Sequence, residues 1–186
     1  MSQQPTPILR LAFRPFFLFG ALFSVVAIGW WTWWWLNPSE WTPYGGVIWW
    51  HGHEMIFGFG SAIITGFLLT AVQTWTGVIG LRGMPLALLS GTWLLGRVLL
   101  AFETGLPPLL IAIVDCSFLL FSALAMAYPV IKVRQWKNLM FVPMLALMTL
   151  LNAESHYGAL NNDPALAMRA LHATILLITL IIAVVG

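Results

Sequence analysis

Six apolar stretches, each long enough to cross a lipid bilayer as a helix, constrain this chain more than any other feature. A spanning helix needs about 20 mostly apolar residues, and open strands or irregular backbone exposed to lipid would leave polar groups without partners. The predicted spans are 13–36, 53–75, 85–102, 107–128, 138–156 and 164–186. The sequence therefore predicts an all-α, polytopic transmembrane bundle that forms a single domain over residues 1–186.

The composition agrees with a membrane protein and excludes several other classes. Hydrophobic residues make up 60% of the 186 residues and charged residues 8%, whereas a soluble domain carries about 25% charged residues. The formal net charge is +2, and the basic residues do not cluster on an amphipathic helix. We therefore expect the lipid bilayer, and no nucleic acid, as a partner. Cys116 is the one cysteine, which excludes an intramolecular disulfide and a cysteine-rich metal site.

The charges of the loops predict the orientation of the bundle. Lys and Arg concentrate in the cytoplasmic loops of membrane proteins. Basic residues occupy the N-terminal segment and the second and fourth loops, whereas the odd loops carry acidic residues and neither Lys nor Arg. We therefore expect a cytoplasmic N-terminus and outward-facing odd loops. The basic residues are Arg10, Arg14, Arg82, Lys132, Arg134 and Lys137, and the acidic residues are Glu40, Glu103, Glu154 and Asp163.

Ionisable residues collect at or just below the predicted outer boundary of the spans. Such residues are costly inside a bilayer and are functional candidates for that reason. At about 1.5 Å per residue, Arg97 lies roughly 7 Å and Asp115 roughly 12 Å below that boundary, so these groups are expected to share one layer. The set consists of His51, His53, Glu54, Arg97, Asp115, Arg169 and His172.

Three histidines of this layer are candidate metal ligands, namely His51 and His53 in a His-Gly-His-Glu motif and His172 in an apolar span. On a regular helix His51 and His53 point about 200° apart. Either the helix begins after His51, or the two imidazoles have different partners. His51 and Glu54 would share a helix face, and a glutamate can orient a ligating histidine. The second histidine of a His-Glu-x-x-His zinc motif is absent.

Structural interpretations of the same residues remain open. Arg97 and Asp115 lie at similar depth and could simply pair, because an isolated buried charge is costly. His156 lies in a polar, loop-like stretch, and we expect it to be solvated rather than a ligand. Arg169 could extend to the interface. His172 could hydrogen-bond a neighbouring helix, although we favour a ligand role for it.

Motifs spread over nearly the whole chain resemble the NnrS family. Their composition is distinctive, with an Arg-Pro-Phe-Phe block before the first span and a His-Gly-His-Glu-Met block at the second. The motifs are LAFRPFF at 11–17, WHGHEMIFGF at 50–59, GFLLTAV at 66–72, TWTG at 74–77, LRGMPL at 81–86 and RALHA at 169–173.

The resemblance implies a protein of the bacterial inner membrane that binds haem and copper. It also implies protection against nitric oxide and nitrosative stress, in association with denitrification, with nitric oxide or nitrosylated species as small-molecule partners. Imidazole suits both haem iron and copper. The implied roles fall on His51, His53 and His172 as ligands, on Arg97 and Arg169 as partners of a haem propionate, and on Glu54 and Asp115 as groups that orient ligands or handle protons.

Members of this family are typically about twice as long, with about twice as many spans, so we expect this chain to correspond to the N-terminal half of the family pattern. Whether the activity is that of an enzyme, a sensor or a scavenger is left open by the residues, as is the oligomeric state. Two other classes also stay open. One is a transporter or channel whose outer polar vestibule contains Arg97 and Asp115, and the other is a structural subunit whose histidines only form hydrogen bonds.

Overall fold

The computed structural model describes residues 6–37 and 41–185, and these residues form a helical bundle without strands. A π-helical segment, Glu54–Gly60, joins the second helix to the third, and short 3₁₀ turns at Pro7–Leu9 and Trp136–Met140 precede the first and sixth helices. The helices are α1 (Phe13–Leu36), α2 (Val47–His53), α3 (Ser61–Thr76), α4 (Met84–Ala101), α5 (Pro108–Lys132), α6 (Phe141–Leu160) and α7 (Pro164–Val185).

Six helical segments of the described chain are long and apolar enough to cross a membrane, which confirms the predicted fold class. The first has the predicted bounds, whereas the second begins at Val47, after Gly46 with φ 82°, and so includes residues predicted to precede it. The fifth continues to Leu160. Glu40, predicted in the first outer loop, and Gly186, the predicted end of the last span, lie outside the described residues.

The helices pack in an order that places α5 at the centre of the bundle. α5 contacts α3, α4 and α6, while α1 packs on α3 and α7 packs on α6. The larger apolar core lies along α3, α5 and α6, and a smaller one lies at the predicted outer ends. His53 stacks on Trp49 of the smaller core and contacts Phe57 of the larger one. The polar layer therefore lies between two apolar clusters.

Small residues of the second span serve helix packing. Gly58, Ala62 and Gly66 recur at four-residue spacing along this span. A Cβ on Gly66 would lie 2.9 Å from Cβ of Phe16 in α1, and a Cβ on Gly20 would lie 3.5 Å from Cβ of Ala62. The absence of a side chain at Gly66 therefore lets α1 and α3 approach closely, as small residues do in membrane helix pairs, whereas a Cβ on Gly20 would make an ordinary contact.

Candidate metal centre

The candidate site begins where the second span changes from an α-helix to a π-helix. Such segments are rare and often occur at functional sites. On a regular helix, consecutive residues point about 100° apart. Here Nδ1 of His53 and Oε1 of Glu54, the first π-helical residue, lie 3.2 Å apart. The wider backbone also leaves the Gly58 carbonyl able to accept a hydrogen bond of 2.9 Å from Trp93 Nε1.

Three potential metal ligands meet where α2, α5 and α6 adjoin. His53, Asp115 and His156 are buried, and each offers one ligand atom within 4.8 Å of the others. Nε2 of His53 lies 3.3 Å, and Nε2 of His156 3.1 Å, from the same carboxylate oxygen, Oδ2 of Asp115. Two imidazoles and one carboxylate form a ligand set that suits borderline first-row metal ions.

The second ring nitrogen of each histidine has its own hydrogen-bond partner. Nδ1 of His53 faces Glu54, and Nδ1 of His156 lies 3.1 Å from the hydroxyl oxygen of Tyr44. Histidines that bind metals almost always use the remaining ring nitrogen in this way, which fixes the tautomer and the orientation of the ring. A neutral imidazole that binds through Nε2 carries its hydrogen on Nδ1, and Glu54 and Tyr44 are placed to accept it.

Asn152 and Arg97 hold the two carboxylates of the site. The amide nitrogen of Asn152 donates to Oδ2 of Asp115 at 2.7 Å, and its Oδ1 lies 2.8 Å from Nε2 of His53. Arg97 donates to Oδ1 of Asp115, and its Nε lies 3.4 Å from Oε2 of Glu54. The predicted pairing of Arg97 with Asp115 is confirmed, and both partners are buried.

The charges of the buried cluster favour a cation. Asp115 and Glu54 are both paired with the single guanidinium of Arg97, so the cluster carries a net negative charge while its imidazoles are neutral. An uncompensated charge is costly in a medium of low dielectric constant. A proton on an imidazole or a metal cation among the ligand atoms removes that cost.

Tyr44 connects the cluster to the loop that precedes α2. Burial, and after it the negative charge of Asp115, raises the pKa of Tyr44 above its ordinary value. The hydroxyl therefore stays protonated at physiological pH and remains a neutral hydrogen-bond partner for His156.

His51 and His172 lie away from this cluster. The half-buried ring of His51 stacks on Trp31 of α1, with centroids 4.2 Å apart and an interplanar angle of 10°. His172 is exposed on α7. Neither belongs to the ligand group found among the described residues. Because α2 begins before His51, the alternative in which His51 and His53 have different partners is confirmed.

The expectation that His156 is solvated is wrong. His156 is 1% exposed and lies inside α6, because the helix continues through the polar stretch that resembled a loop. Asn152 and Ser155 are buried beside it, and Ser155 accepts a hydrogen bond of 2.9 Å from Trp49 Nε1. The four-residue spacing of Asn152 and His156, which places both on one helix face, was the signal that could have identified them.

Arg169 lies outside the cluster at the outer end of α7. Its exposed guanidinium donates to Oε1 of Glu154 at 2.7 Å. This pairing joins α6 to α7 near the predicted interface.

Removing the hydrogen-bond partner of Nδ1 of His53 or of Nδ1 of His156 is expected to weaken metal binding without unfolding the protein. Tyr44→Phe deletes the hydrogen-bond partner of His156, and Glu54→Gln removes the charge beside His53. Loss of such a partner typically lowers metal affinity about 10- to 100-fold. Titration of the purified variants with a metal in competition with a chelator measures this loss. Unchanged affinity in both variants would argue against ligation through Nε2.

Gly58→Ala is expected to lower stability, because the site has no room for the added methyl group. Its Cβ would lie 2.7 Å from Oε2 of Glu54 and 2.9 Å from Nη1 of Arg97, both buried. Overpacking of this kind costs about 1–3 kcal/mol. Gly91→Ala in α4 is the matched control, since its Cβ would meet nothing within 4 Å, and alanine should there stabilise the helix. Thermal unfolding in detergent compares the two, and equal effects would contradict the packing described.

Comparison with known proteins agrees with the motifs described above. A family model described as NnrS protein matches residues 7–186. No curated protein and no solved structure matches the chain. Together with the six apolar helices, this match identifies a multi-pass membrane protein. The chain belongs to the NnrS family.

Proposed function

We propose that this chain is a metal-binding protein of the bacterial inner membrane that protects against nitric oxide and nitrosative stress, in association with denitrification. Membership of its family suggests a role in the nitric oxide response. The observation that carries the proposal is the convergence of His53, Asp115 and His156 on one buried point. While both imidazoles are neutral, two carboxylates face one guanidinium there, and a cation would compensate the remaining negative charge.

Copper is the metal that we propose for this centre. Imidazole binds copper well, and Cu²⁺ binds most tightly among the divalent first-row ions to a given set of nitrogen and oxygen ligands. Two neutral imidazoles and the carboxylate of Asp115 supply three ligand atoms of this type. Bound copper would supply a one-electron redox couple and a coordination position for a small ligand.

Haem does not fit between the two buried imidazoles. A macrocycle needs open space around the nitrogen that binds its iron, whereas the ring of His53 is covered by Trp49 at 4.5 Å and Phe57 at 5.1 Å. The ring of His156 lies 5.0 Å from that of His53. We therefore separate the two cofactors that the family resemblance implies, and we assign only copper to this centre.

His51 and His172 are the proposed haem ligands. His172 is exposed and His51 is half-buried, so neither is enclosed in the buried cluster, and these two imidazoles would hold the haem iron. Nδ1 of His51 is buried without a hydrogen-bond partner among the described residues. Arg169 is the proposed partner of a propionate because it is exposed, whereas Arg97 is held by buried carboxylates.

The residues of the chain hold the ligands and exclude water from them. With its proton on Nδ1 and directed at Glu54, His53 would bind the metal through Nε2, which now faces Asn152 and Asp115. Arg97 stabilises the ionised form of Asp115 by its charge. Trp49 and Phe57 cover the ring of His53. These contacts keep the ligand atoms of His53, Asp115 and His156 buried away from bulk water.

The alternative of a transporter with an outer polar vestibule has less support. A vestibule needs charged groups that face an open space. Arg97 and Asp115 are 3% and 4% exposed, and they pair with each other.

Optical and electron paramagnetic resonance spectra, with metal analysis, test the proposed function. The protein is purified in detergent and measured oxidised and reduced, with and without nitric oxide. We expect bound copper, a haem absorption band, and spectral changes on addition of nitric oxide. Absence of metal after copper and haem have been supplied would contradict the proposal.

A further inference from the structure

An apolar cavity adjoins the candidate metal centre at the predicted outer boundary of the membrane. Its volume is about 420 Å³, and it lies between the start of α2, the end of α6 and the start of α7. Ile48, Trp49, Ala159 and Met168 contribute to its mainly apolar wall. Such a wall favours uncharged molecules that dissolve in lipid and disfavours ions, which would lose their hydration there.

Trp49 forms part of the wall of this cavity and also covers the candidate ligands. Its ring stacks on His53 with centroids 4.5 Å apart and an interplanar angle of 28°, and it lies 5.3 Å from the ring of His156. One side chain therefore separates the cavity from both imidazoles.

The contacts of Trp49 hold its ring between the cavity and the imidazoles. A hydrogen bond from Nε1 to Ser155 holds the indole, and the cavity provides free volume beside it. Gly45, with φ 71°, packs directly on the ring, and a Cβ there would lie 2.3 Å from Cε3 of Trp49. Passage from the cavity to the imidazoles therefore requires the displacement of this one side chain.

We propose that this cavity is the entry pocket for a small uncharged gas molecule of diatomic size, which passes Trp49 to reach His53, Asp115 and His156. The proposal rests on the proposed function, because it assumes a metal at that centre. The apolar wall suits such a molecule, because an anion would lose its hydration there. The charged groups of the cluster stay shielded from water by the same ring.

Filling the cavity with a larger side chain tests whether it is the entry pocket. Ala159 of α6 lines the cavity, so Ala159→Trp should fill it. Ala153→Trp is the matched control, because it makes the same change on the same helix at an exposed position outside the cavity lining. Met168→Trp, at an exposed lining position of α7, serves as a second filling variant if Ala159→Trp does not fold.

Xenon tests the cavity without any metal. In crystals pressurised with xenon, we expect a bound atom in the cavity of the unaltered protein and of Ala153→Trp, and none in the filling variant. A cavity without xenon in the unaltered protein would overturn the proposal. Xenon uptake thus tests the cavity independently of the metal, so a failure of the cavity and a failure of the proposed function give different results.

Nitric oxide kinetics test the route in the copper-loaded protein. A blocked route raises the barrier in both directions and leaves the end states unchanged, so we expect association and dissociation rate constants to fall together, by about tenfold, at constant Kd. Stopped-flow mixing and trapping of released nitric oxide measure the two rates. Rates in Ala159→Trp equal to those in Ala153→Trp would overturn the proposal.

Discussion

Replacing either buried histidine, by His53→Ala or His156→Ala, is expected to abolish metal binding at the centre. Each substitution removes one of the two imidazoles whose Nε2 atoms face Asp115. Loss of a hydrogen-bond partner of a ligand already costs about 10- to 100-fold in affinity, so loss of a ligand should cost more than about 100-fold. Metal content after dialysis, and competition with a chelator, measure the change.

Substitutions of the two remaining candidate histidines provide the matched comparison. His51→Ala and His172→Ala should retain copper at the centre, because both side chains lie outside the converging group. On the proposed division of cofactors, they should instead lose the haem band. Two results would contradict the ligand assignment. One is that His156→Ala retains copper, and the other is that all four variants lose copper to the same extent.

Among substitutions that preserve side-chain size, Asp115→Asn is expected to lower the stability of the bundle most. It removes the negative partner of buried Arg97 and the carboxylate that both imidazoles face. Breaking a buried ion pair by neutralising one partner typically costs about 3–5 kcal/mol of stability. Glu54 still faces the guanidinium of Arg97, but at a longer distance, so it offsets only a part of that loss. Unfolding by denaturing detergent measures the loss.

Further substitutions separate the structural role of Asp115 from its role as a ligand. Arg97→Met and Glu54→Gln added to Asp115→Asn remove all three charges of the network, and should recover much of the lost stability without restoring metal binding. Glu154→Gln, which breaks the exposed pair with Arg169, should change stability little. A single Asp115→Asn variant that is as stable as the parent and still binds copper would contradict both roles.

The fold could be predicted from the sequence because the length and hydropathy of each span determine that it crosses the membrane. The bounds differ where a helix continues beyond the apolar run. Trp49 and Trp50 extend the second span outward to Val47, and a buried polar face carries α6 on to Leu160. Hydropathy marks where the hydrocarbon ends, whereas a helix ends where its backbone hydrogen bonds end.

The depth of the site could be predicted, but the direction in which each side chain points could not. Counting residues from the outer ends placed Arg97, Asp115 and His53 in one layer, and they are indeed in contact. The same counting gave His172 a similar depth, yet it lies on the exposed side of α7. Rotation of a helix about its axis depends on packing against neighbours, which a weakly amphipathic apolar sequence does not encode clearly.

Two features of the centre had no signal in the residue pattern. The π-helical segment brings the adjacent side chains of His53 and Glu54 together, whereas α-helical periodicity paired Glu54 with His51. Tyr44 reaches His156 from a loop more than one hundred positions earlier in the chain. Such a contact follows from the packing of α2 beside α6 and not from local sequence.

X-ray absorption at the copper edge of the purified, copper-loaded protein tests the central claim most directly. Ligation by His53, His156 and Asp115 predicts nitrogen and oxygen neighbours at about 2 Å, with the outer-shell scattering of two imidazole rings and without sulfur. The His156→Ala variant should retain too little copper at this centre to give that signal. A copper site with sulfur neighbours, or one without imidazole scattering, would contradict the assignment of this buried cluster as the metal centre.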